Sequence, residues 1–487
     1  MMLWLRALAR TSPIRVGLLL VLLCGCAHYA ANAPLTSFAP QDGYRFDTAA
    51  PESATNTDSL FICLTFSGGG MRAAALAYGV MERLRATQIA SDGVNRSLLD
   101  EVDCISGVSA GSLPAAYYGL FGERFFTDFR ARVLERDLGS ELFARVLNPL
   151  NLIRLTSAYF GTGDLLAEHL DRTVFEGQTF EALVSRRVRP FIILNATNVA
   201  TGDRFEFTQD QFDFLGSDLS VYPVARAVAA SMALPVLVTP LTLRNHESPA
   251  GYRPPGAYVH ALENYSASRA RYEWARARMM YLEKQQRPYV HLMDGVLADN
   301  LGLRAVDAAY REVPGFIFRR VNSGSIQRLV IIVVNARTAP QEEVSRSERS
   351  PGLLASLQAP ALSMGNYSFE TVELMKEFEY TRRQAAQTVR NCQRLLEANC
   401  PSAPRLPVFE ELKTCFIEVN FNAIRDPIER QRFLSMPTTF DLSRQDVDAL
   451  IAVGGALLEQ SPGFQQLLRS LRERDPVLQS AGIPDCA

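Results

Sequence analysis

The chain has 487 residues, 47% of them hydrophobic, and its 50 basic and 52 acidic residues give a formal net charge of −2. This length can bury a sizeable core, and the near-neutral charge argues against a nucleic-acid-binding protein, which needs a basic surface. The eight cysteines and five histidines form neither paired CxxC sequences nor an HExxH sequence. We therefore expect no metal ion and no other cofactor.

The first 26 residues resemble a bacterial lipoprotein signal sequence. Three arginines precede an apolar run at 16–23, and Cys24-Gly25-Cys26 follows it. The run is too short to cross a bilayer, which takes about 20 residues. We expect residues 1–25 to be a signal peptide and Cys26 to be lipidated, with an ordinary signal peptide and an uncleaved anchor as alternatives. The expected location is the bacterial cell envelope, and more specifically the outer membrane of a Gram-negative host.

The composition after Cys26 suggests three further parts. Residues 26–57 are rich in Ala, Pro, Ser and Thr without an apolar period, which predicts a flexible linker. Residues 58–340 alternate between strand-like and helix-like segments and predict a catalytic domain. Residues 341–487 predict a helical C-terminal extension.

Cysteine pairing is open at this stage. An exported protein can form disulfides, and the candidates are Cys392, Cys400, Cys415 and Cys486. Cys63 and Cys104 lie in apolar segments, where unpaired buried side chains are the favoured interpretation.

Two strand-to-helix turns follow the predicted linker. A buried strand at 60–66 ends in Ser67-Gly68-Gly69-Gly70 and leads into a helix, and a second strand at 102–106 leads through Gly107 into another helix. Further strands are predicted near 191–194, 204–208 and 329–334. Strands that alternate with helices predict a three-layer α/β/α fold with a mixed, mostly parallel sheet.

One basic and aromatic segment has two possible roles. Residues 264–287 are helical in composition and interleave arginines with tyrosines and Trp274. They could form a lid over a lipid site or lie on a membrane, or they could be a solvated surface helix. Both interpretations stay open.

Gly107-Val108-Ser109-Ala110-Gly111 is a GxSxG sequence between a strand and a helix. Small flanking residues allow the sharp turn of a nucleophile elbow, which presents the serine hydroxyl above the sheet edge. Ser109 is therefore the candidate nucleophile, with Gly107 and Gly111 forming the elbow.

The upstream glycine run is a candidate oxyanion hole. Backbone N–H groups of Gly68, Gly69, Gly70 and Met71 could bind a developing oxyanion, with Arg72 adding positive charge. A dinucleotide loop is the competing interpretation, but its acidic residue would be Asp92, and residues 88–92 are typical of a loop instead of a strand.

The glycine run at 68–72 and the elbow at 107–111, with the later Met293-Asp294-Gly295, resemble the patatin-like phospholipase family over about residues 60–302. The resemblance implies an α/β/α fold, a catalytic dyad of Ser109 and Asp294, an oxyanion hole in the glycine run, and hydrolysis of lipid acyl esters. Val296 departs from the family, which usually has Gly or Ala after Asp-Gly.

Two other residues compete with Asp294 as the base. Asp299 is a rival carboxylate, although its sequence context favours a helix cap. His291 lies in the apolar run that ends at Asp294, and a strand histidine is its more ordinary role. No histidine follows Asp294, so the Ser-Asp-His order of α/β-hydrolases is absent.

The sequence therefore predicts a phospholipase A-like serine acyl hydrolase. Its expected partners are a phospholipid or other acyl-ester lipid and a membrane surface, and the oligomeric state is open. The alternatives are a catalytically weak lipid-binding or scaffolding protein of the same fold, or an acyltransferase.

Overall fold

The computed structural model describes residues 27–50, 56–91, 94–312, 315–339, 353–400 and 412–472, with single residues at 348 and 402. The predicted signal peptide, residues 1–25, and the predicted lipidation site Cys26 lie outside these ranges.

The centre of the fold is an eight-stranded sheet in the order β12-β11-β2-β5-β6-β10-β9, with β7 also paired to β6. Neighbouring strands from β12 to β6 are parallel, whereas β10 is antiparallel to both β6 and β9. The predicted α/β fold with a mixed, mostly parallel sheet is confirmed. The strands are β1 (Ala33–Pro34), β2 (Leu60–Phe66), β3 (Gln88–Ser91), β4 (Val94–Ser97), β5 (Val102–Val108), β6 (Phe191–Asn198), β7 (Arg204–Glu206), β8 (Ser217–Asp218), β9 (Leu241–Arg244), β10 (Tyr289–Asp294), β11 (Arg328–Asn335) and β12 (Lys413–Asn420).

The central strands β2, β5 and β6 are buried along their whole length, as strands of a parallel sheet covered on both faces should be. The α-helices within the described ranges are α1 (Phe46–Ala49), α2 (Met71–Ala86), α3 (Ser112–Phe121), α4 (Phe125–Phe129), α5 (Leu138–Leu147), α6 (Pro149–Arg154), α7 (Thr162–Leu170), α8 (Phe180–Arg186), α9 (Gln209–Phe214), α10 (Val224–Ser231), α11 (Gly256–Glu263), α12 (Arg269–Met279), α13 (Leu303–Arg311), α14 (Phe316–Asn322), α15 (Leu353–Asn399), α16 (Pro427–Leu434), α17 (Arg444–Gln460) and α18 (Pro462–Arg472).

The N-terminal segment 27–50 is packed on the domain, so the prediction of a flexible linker at 26–57 is wrong for these residues. Tyr44 and Phe46 are only 1% and 2% exposed. The Tyr44 hydroxyl accepts a hydrogen bond from the Ile192 N–H at 2.8 Å and donates one to the Ile192 carbonyl at 3.1 Å. A few aromatic side chains hold this segment, and they leave no periodic pattern in the sequence.

The C-terminal segment is also part of the domain and is not purely helical. Strand β12 pairs in parallel with β11 along its whole length. Helix α17 lies against α2, where a Cβ on Gly454 would come 2.6 Å from the Leu76 carbonyl oxygen. The segment after residue 340 therefore completes both the sheet and the helical layer over α2.

Residues 88–91, interpreted above as a loop, form β3. This strand pairs with β4 in a separate antiparallel hairpin. It is therefore not the neighbouring parallel strand that a dinucleotide site requires, and Asp92 lies outside the described residues.

Cys63 and Cys104 form a disulfide, which corrects the interpretation of both as unpaired side chains. They face each other in the β2–β5 ladder, with their Cα atoms 4.7 Å apart. Cys415 is also disulfide-bonded, whereas Cys392 and Cys400 are free and exposed. The strand register that brings Cys63 to Cys104 cannot be read from local sequence.

The basic segment 264–287 is divided between surface and interior. Arg269 is 77% exposed, but the Arg278 side chain is only 11% exposed and forms an ion pair with Glu206 at 3.1 Å. Tyr281 is buried and accepts a hydrogen bond from the Asn198 amide. The inner face of segment 264–287 is thus fixed to the domain.

No helix in the described ranges is both long and apolar enough to cross a membrane.

Candidate active site

Ser109 lies at a strained turn directly after β5. Its φ of 51° falls in the left-handed region, which non-glycine residues seldom adopt and which is often found at functional sites. The flanking glycines permit close backbone contacts: a Cβ at Gly107 would lie 2.7 Å from the Ser112 Cα, and one at Gly111 would lie 2.5 Å from the Ser67 carbonyl oxygen. The turn therefore has the geometry of the predicted nucleophile elbow.

Asp294 reaches Ser109 because of the register of β6. On one side of β6, Asn195 pairs with Val108, and on the other side Ala196 pairs with Asp294. The serine and the carboxylate thus lie at the same level of the sheet. The Ser109 hydroxyl donates a hydrogen bond of 2.8 Å to Asp294 Oδ2.

The Asp294 carboxylate is buried, and no cationic side chain among the described residues shifts its pKa. It is 2% exposed, and burial raises its pKa to about 7, although hydrogen bonds from the Val296 N–H and the Ser109 hydroxyl partly oppose that shift. A group with a pKa near neutrality can accept and return a proton at physiological pH.

Of the four residues predicted to bind the oxyanion through their N–H groups, two have these groups available and two do not. The Gly68 N–H donates to the Asn300 carbonyl at 3.0 Å, and the Met71 N–H donates to the Thr439 carbonyl at 2.9 Å. By contrast, no described residue accepts a hydrogen bond from the N–H of Gly69 or Gly70. The predicted set therefore reduces to these two glycines.

Arg72 is buried and supports the glycine run through hydrogen bonds to the backbone, which corrects its predicted role as a charge beside the oxyanion. Its guanidinium is 2% exposed and donates to the carbonyl oxygens of Ala336, Met436 and Pro437 at 3.0, 2.6 and 2.8 Å. Burial lowers its pKa to about 10. Sequence could not reveal these acceptors, because two of them lie more than 360 positions along the chain.

Three buried polar residues position the dyad, and the motif analysis did not assign them roles. The Ser231 hydroxyl accepts from the Ser109 N–H at 2.9 Å and donates to the Asn195 carbonyl at 2.6 Å. The Thr197 hydroxyl donates to the Asp294 carbonyl at 2.8 Å. Asn195 and Thr197 lie in Asn195-Ala196-Thr197-Asn198, and Ser231 lies in Ala229-Ala230-Ser231-Met232-Ala233-Leu234-Pro235. Both strings also resemble the patatin-like family, and that resemblance was the available signal.

Val296 lies directly beside the site. A Cβ at Gly68 would overlap Val296 Cγ1 and would lie 3.3 Å from the Ser109 Cβ. The valine thus occupies the space that the missing side chain of Gly68 leaves open, and it narrows the approach to Ser109.

The rival bases lie elsewhere. Asp299 accepts from the N–H groups of Leu301 and Arg304 at 3.2 and 2.8 Å, as a helix-capping carboxylate does before α13. His291 is on the exposed side of β10, and its Nδ1 is 3.0 Å from the Thr242 hydroxyl. The other four histidines, all described, contact groups away from Ser109 and Asp294.

Within the described ranges, no group of three or more His, Cys, Asp or Glu side chains is placed to hold a metal ion.

Comparison with known proteins agrees with this fold and motif order. The sequence model of the patatin-like phospholipase family matches residues 64–307, half of the chain. The chain therefore belongs to this family. No curated protein matches it.

Similar solved structures include human GIVD cytosolic phospholipase A2, with 15% identity and a TM-score of 0.45. That alignment covers 85% of this chain and 63% of the human chain, so this chain spans less than two thirds of the human one. VipD from Legionella pneumophila aligns with 13% identity and a TM-score of 0.30, over 85% of this chain and 67% of VipD.

Proposed function

We propose that the protein is a serine acyl hydrolase of phospholipase A type that cleaves acyl esters of membrane lipids. The observation that carries the proposal is the 2.8 Å hydrogen bond from the Ser109 hydroxyl to Asp294 at a strained elbow. Membership of the patatin-like phospholipase family supports a lipid ester as substrate.

In the first half of the reaction, Ser109 Oγ attacks the ester carbonyl carbon while its proton passes to Asp294 Oδ2. The N–H groups of Gly69 and Gly70 stabilise the oxyanion on the former carbonyl oxygen. The tetrahedral intermediate then breaks its bond to the alcohol oxygen, which takes the proton from Asp294 and leaves as the lysolipid.

In the second half, water attacks the acyl-serine and gives its proton to Asp294. Collapse of this intermediate returns the proton to Ser109 Oγ and releases the fatty acid. No histidine takes part.

The test is to substitute each member of the dyad. We expect Ser109→Ala and Asp294→Asn each to lower kcat by at least about 10²–10⁴-fold, because neither residue has a substitute. His291→Gln is the matched control, since it has a partner on β9 and should retain most activity. An inactive but folded His291→Gln, or an active Asp294→Asn, would contradict the dyad.

A catalytically weak lipid-binding protein is the second candidate, because Val296 narrows the space at Ser109. A fluorophosphonate probe separates the two. Stoichiometric labelling that is lost in Ser109→Ala supports the hydrolase, whereas an unlabelled wild type supports the binding protein. Product analysis with added acceptor alcohols distinguishes hydrolysis from acyl transfer.

We also propose that Cys26 carries a lipid in a bacterial cell envelope, with the outer membrane as the location. The disulfide between Cys63 and Cys104 supports an oxidising compartment. Metabolic labelling with a palmitate analogue should mark the wild type and not Cys26→Ser, and membrane fractionation reports the location. Equal labelling of both would contradict this proposal.

A further inference from the structure

Exposed apolar side chains concentrate on α5, α6 and the turn after them. Helix α5 buries Leu138 and Leu142 on one face, whereas Phe143 and Leu147 are 63% and 53% exposed. Because residues four apart share a helix face, these two form a second, outward stripe. Leu150 on α6 is 74% exposed. We call the exposed side chains of Phe143, Leu147, Leu150, Leu152 and Tyr159 the docking surface.

A cationic cleft opens within this surface. It has a volume of about 440 Å³, and its lining includes Arg145, Arg154, Arg172 and Glu168. Arg154 is paired with Glu168. Among the described residues, no carboxylate forms an ion pair with Arg145 or Arg172. The three arginines and one glutamate of the lining therefore leave the cleft with a net positive charge beside the exposed Leu150, and Asp171 interacts with Arg172 without lining the cleft.

A loop links the docking surface to the active site. The carbonyl of Ala233 accepts from the Asp294 N–H at 2.9 Å. Farther along this loop, the Thr239 hydroxyl accepts from the Gly163 N–H at 3.0 Å, near the start of α7 and close in sequence to Tyr159. Between these anchor points, Val236 is 68% exposed and has a φ of 71°. A β-branched residue at positive φ is strained, and such strain is often found at functional sites.

The N-terminal chain is fixed at the same place. The Ser157 hydroxyl donates to the Ala27 carbonyl at 2.5 Å, and the Tyr29 N–H donates to the Tyr159 carbonyl at 2.8 Å. The His28 ring also stacks on Tyr159. Ala27 directly follows Cys26, so a lipid on Cys26 would be attached next to the docking surface.

We propose that the docking surface, with the loop at Val236, binds an anionic phospholipid bilayer and seats lipid phosphates in the Arg145–Arg172 cleft. Exposed leucines and phenylalanine enter the headgroup region, and the two arginines pair with phosphate oxygens. The loop at Val236 also contacts the dyad, because its Ala233 carbonyl accepts from the Asp294 N–H, so membrane binding would bring lipid to a loop of the candidate active site.

The combination of side chains favours a lipid surface over a protein partner. An interfacial membrane site combines apolar side chains with cations, and the N-terminal residues that follow Cys26 are fixed at this same surface. The choice of lipid rests partly on the proposed function, so binding must be measured separately from catalysis.

The binding test uses the full chain with Cys26→Ser and Ser109→Ala, which removes the acyl anchor and prevents consumption of lipid. Sedimentation with vesicles of phosphatidylcholine alone, or with added phosphatidylglycerol, gives the partition constant. We expect Phe143→Asp and Leu150→Asp each to weaken binding about tenfold or more on both vesicles. The control is Ile428→Asp, since Ile428 is 81% exposed on α16 and should leave binding unchanged.

The cleft is tested with Arg145→Gln/Arg172→Gln. This double variant should lose about tenfold in binding to phosphatidylglycerol vesicles and little in binding to phosphatidylcholine alone. With Ser109 restored, hydrolysis of vesicle lipid should fall in these variants while hydrolysis of a soluble short-chain ester stays normal.

Failure of the two proposals can be told apart. A wild type that hydrolyses neither substrate but binds vesicles through this surface contradicts the hydrolase and supports the docking surface. Vesicle binding that is unchanged by Phe143→Asp and Leu150→Asp overturns the docking surface. If those variants also shift from dimer to monomer, the surface serves self-association instead.

Discussion

At the scale of single residues, the site combines two features that each lower stability. Ser109 adopts a φ of 51°, and such backbone conformations cost on the order of 1–3 kcal/mol. Asp294 is buried, and burial disfavours its ionised form. Two hydrogen bonds hold these residues in place: the Ser109 N–H donates to the Ser231 hydroxyl, and the Thr197 hydroxyl donates to the Asp294 carbonyl.

The pH dependence follows from Asp294. Only the ionised carboxylate can accept the serine proton, so kcat/KM should rise with pH through about 7, the pKa of the folded protein. A pH–rate profile measures this. A profile that is flat between about pH 5 and about pH 8 would argue against Asp294 as the base.

The Asp294 carboxyl also makes the stability of the fold depend on pH, but stability should fall with rising pH whereas activity should rise. Burial raises the folded pKa from 3.8 to about 7, so the folded state binds more protons in this window and loses stability as pH rises through it. Asp294→Asn should therefore have a free energy of unfolding about 1–3 kcal/mol above that of wild type at about pH 8, and a higher unfolding temperature. At about pH 4 the gain should be small. Asp42→Asn is the control, because Asp42 is exposed.

At the scale of elements, the glycine run depends on a segment far along the chain. Residues 436–439 accept hydrogen bonds from Arg72 and from the Met71 N–H. Gly70 has a φ of 63°, and a Cβ there would overlap the Thr439 carbonyl oxygen. The C-terminal segment therefore sets the position of the Gly69 and Gly70 N–H groups.

Arg72→Lys tests this coupling. Lysine keeps the charge but lacks the planar fork that reaches three carbonyl groups, so we expect kcat to fall about tenfold or more with little change in KM, because the oxyanion donors shift. Arg83→Lys, at an exposed ion pair on α2, is the control. Normal activity in Arg72→Lys together with loss in Arg72→Met would instead assign Arg72 a charge role at the oxyanion.

Local sequence predicted the elements that depend on local chemistry. The strand-turn-helix context of Ser109, the glycine turn after β2 and the capping role of Asp299 each follow from a few consecutive residues. Pairing over long sequence distances could not be predicted in this way. The place of β12 beside β11, the contact of Arg72 with Met436, and the cysteine pair at facing positions of β2 and β5 depend on register and topology.

At the scale of the whole molecule, the candidate active site depends on residues from both ends of the described chain. The family model ends at residue 307, yet β11 and β12 extend the sheet and residues 436–439 support the glycine run. At the other end, Tyr44 and Phe46 are buried in the core. The functional unit is thus larger than the part with recognisable motifs.

The disulfide between Cys63 and Cys104 connects the two strands that lead into the active site, since β2 continues into the glycine run and β5 into Ser109. It closes a loop with a sequence separation of 41, and removing such a cross-link costs about 2–4 kcal/mol by relaxing the unfolded chain. We expect Cys63→Ala/Cys104→Ala to lose that much unfolding free energy in urea titrations, while activity at low temperature persists because the β2–β5 ladder remains. Cys392→Ala/Cys400→Ala removes two free, exposed thiols and should match wild type. Equal stability of both double variants would mean that the cross-link does not stabilise the fold.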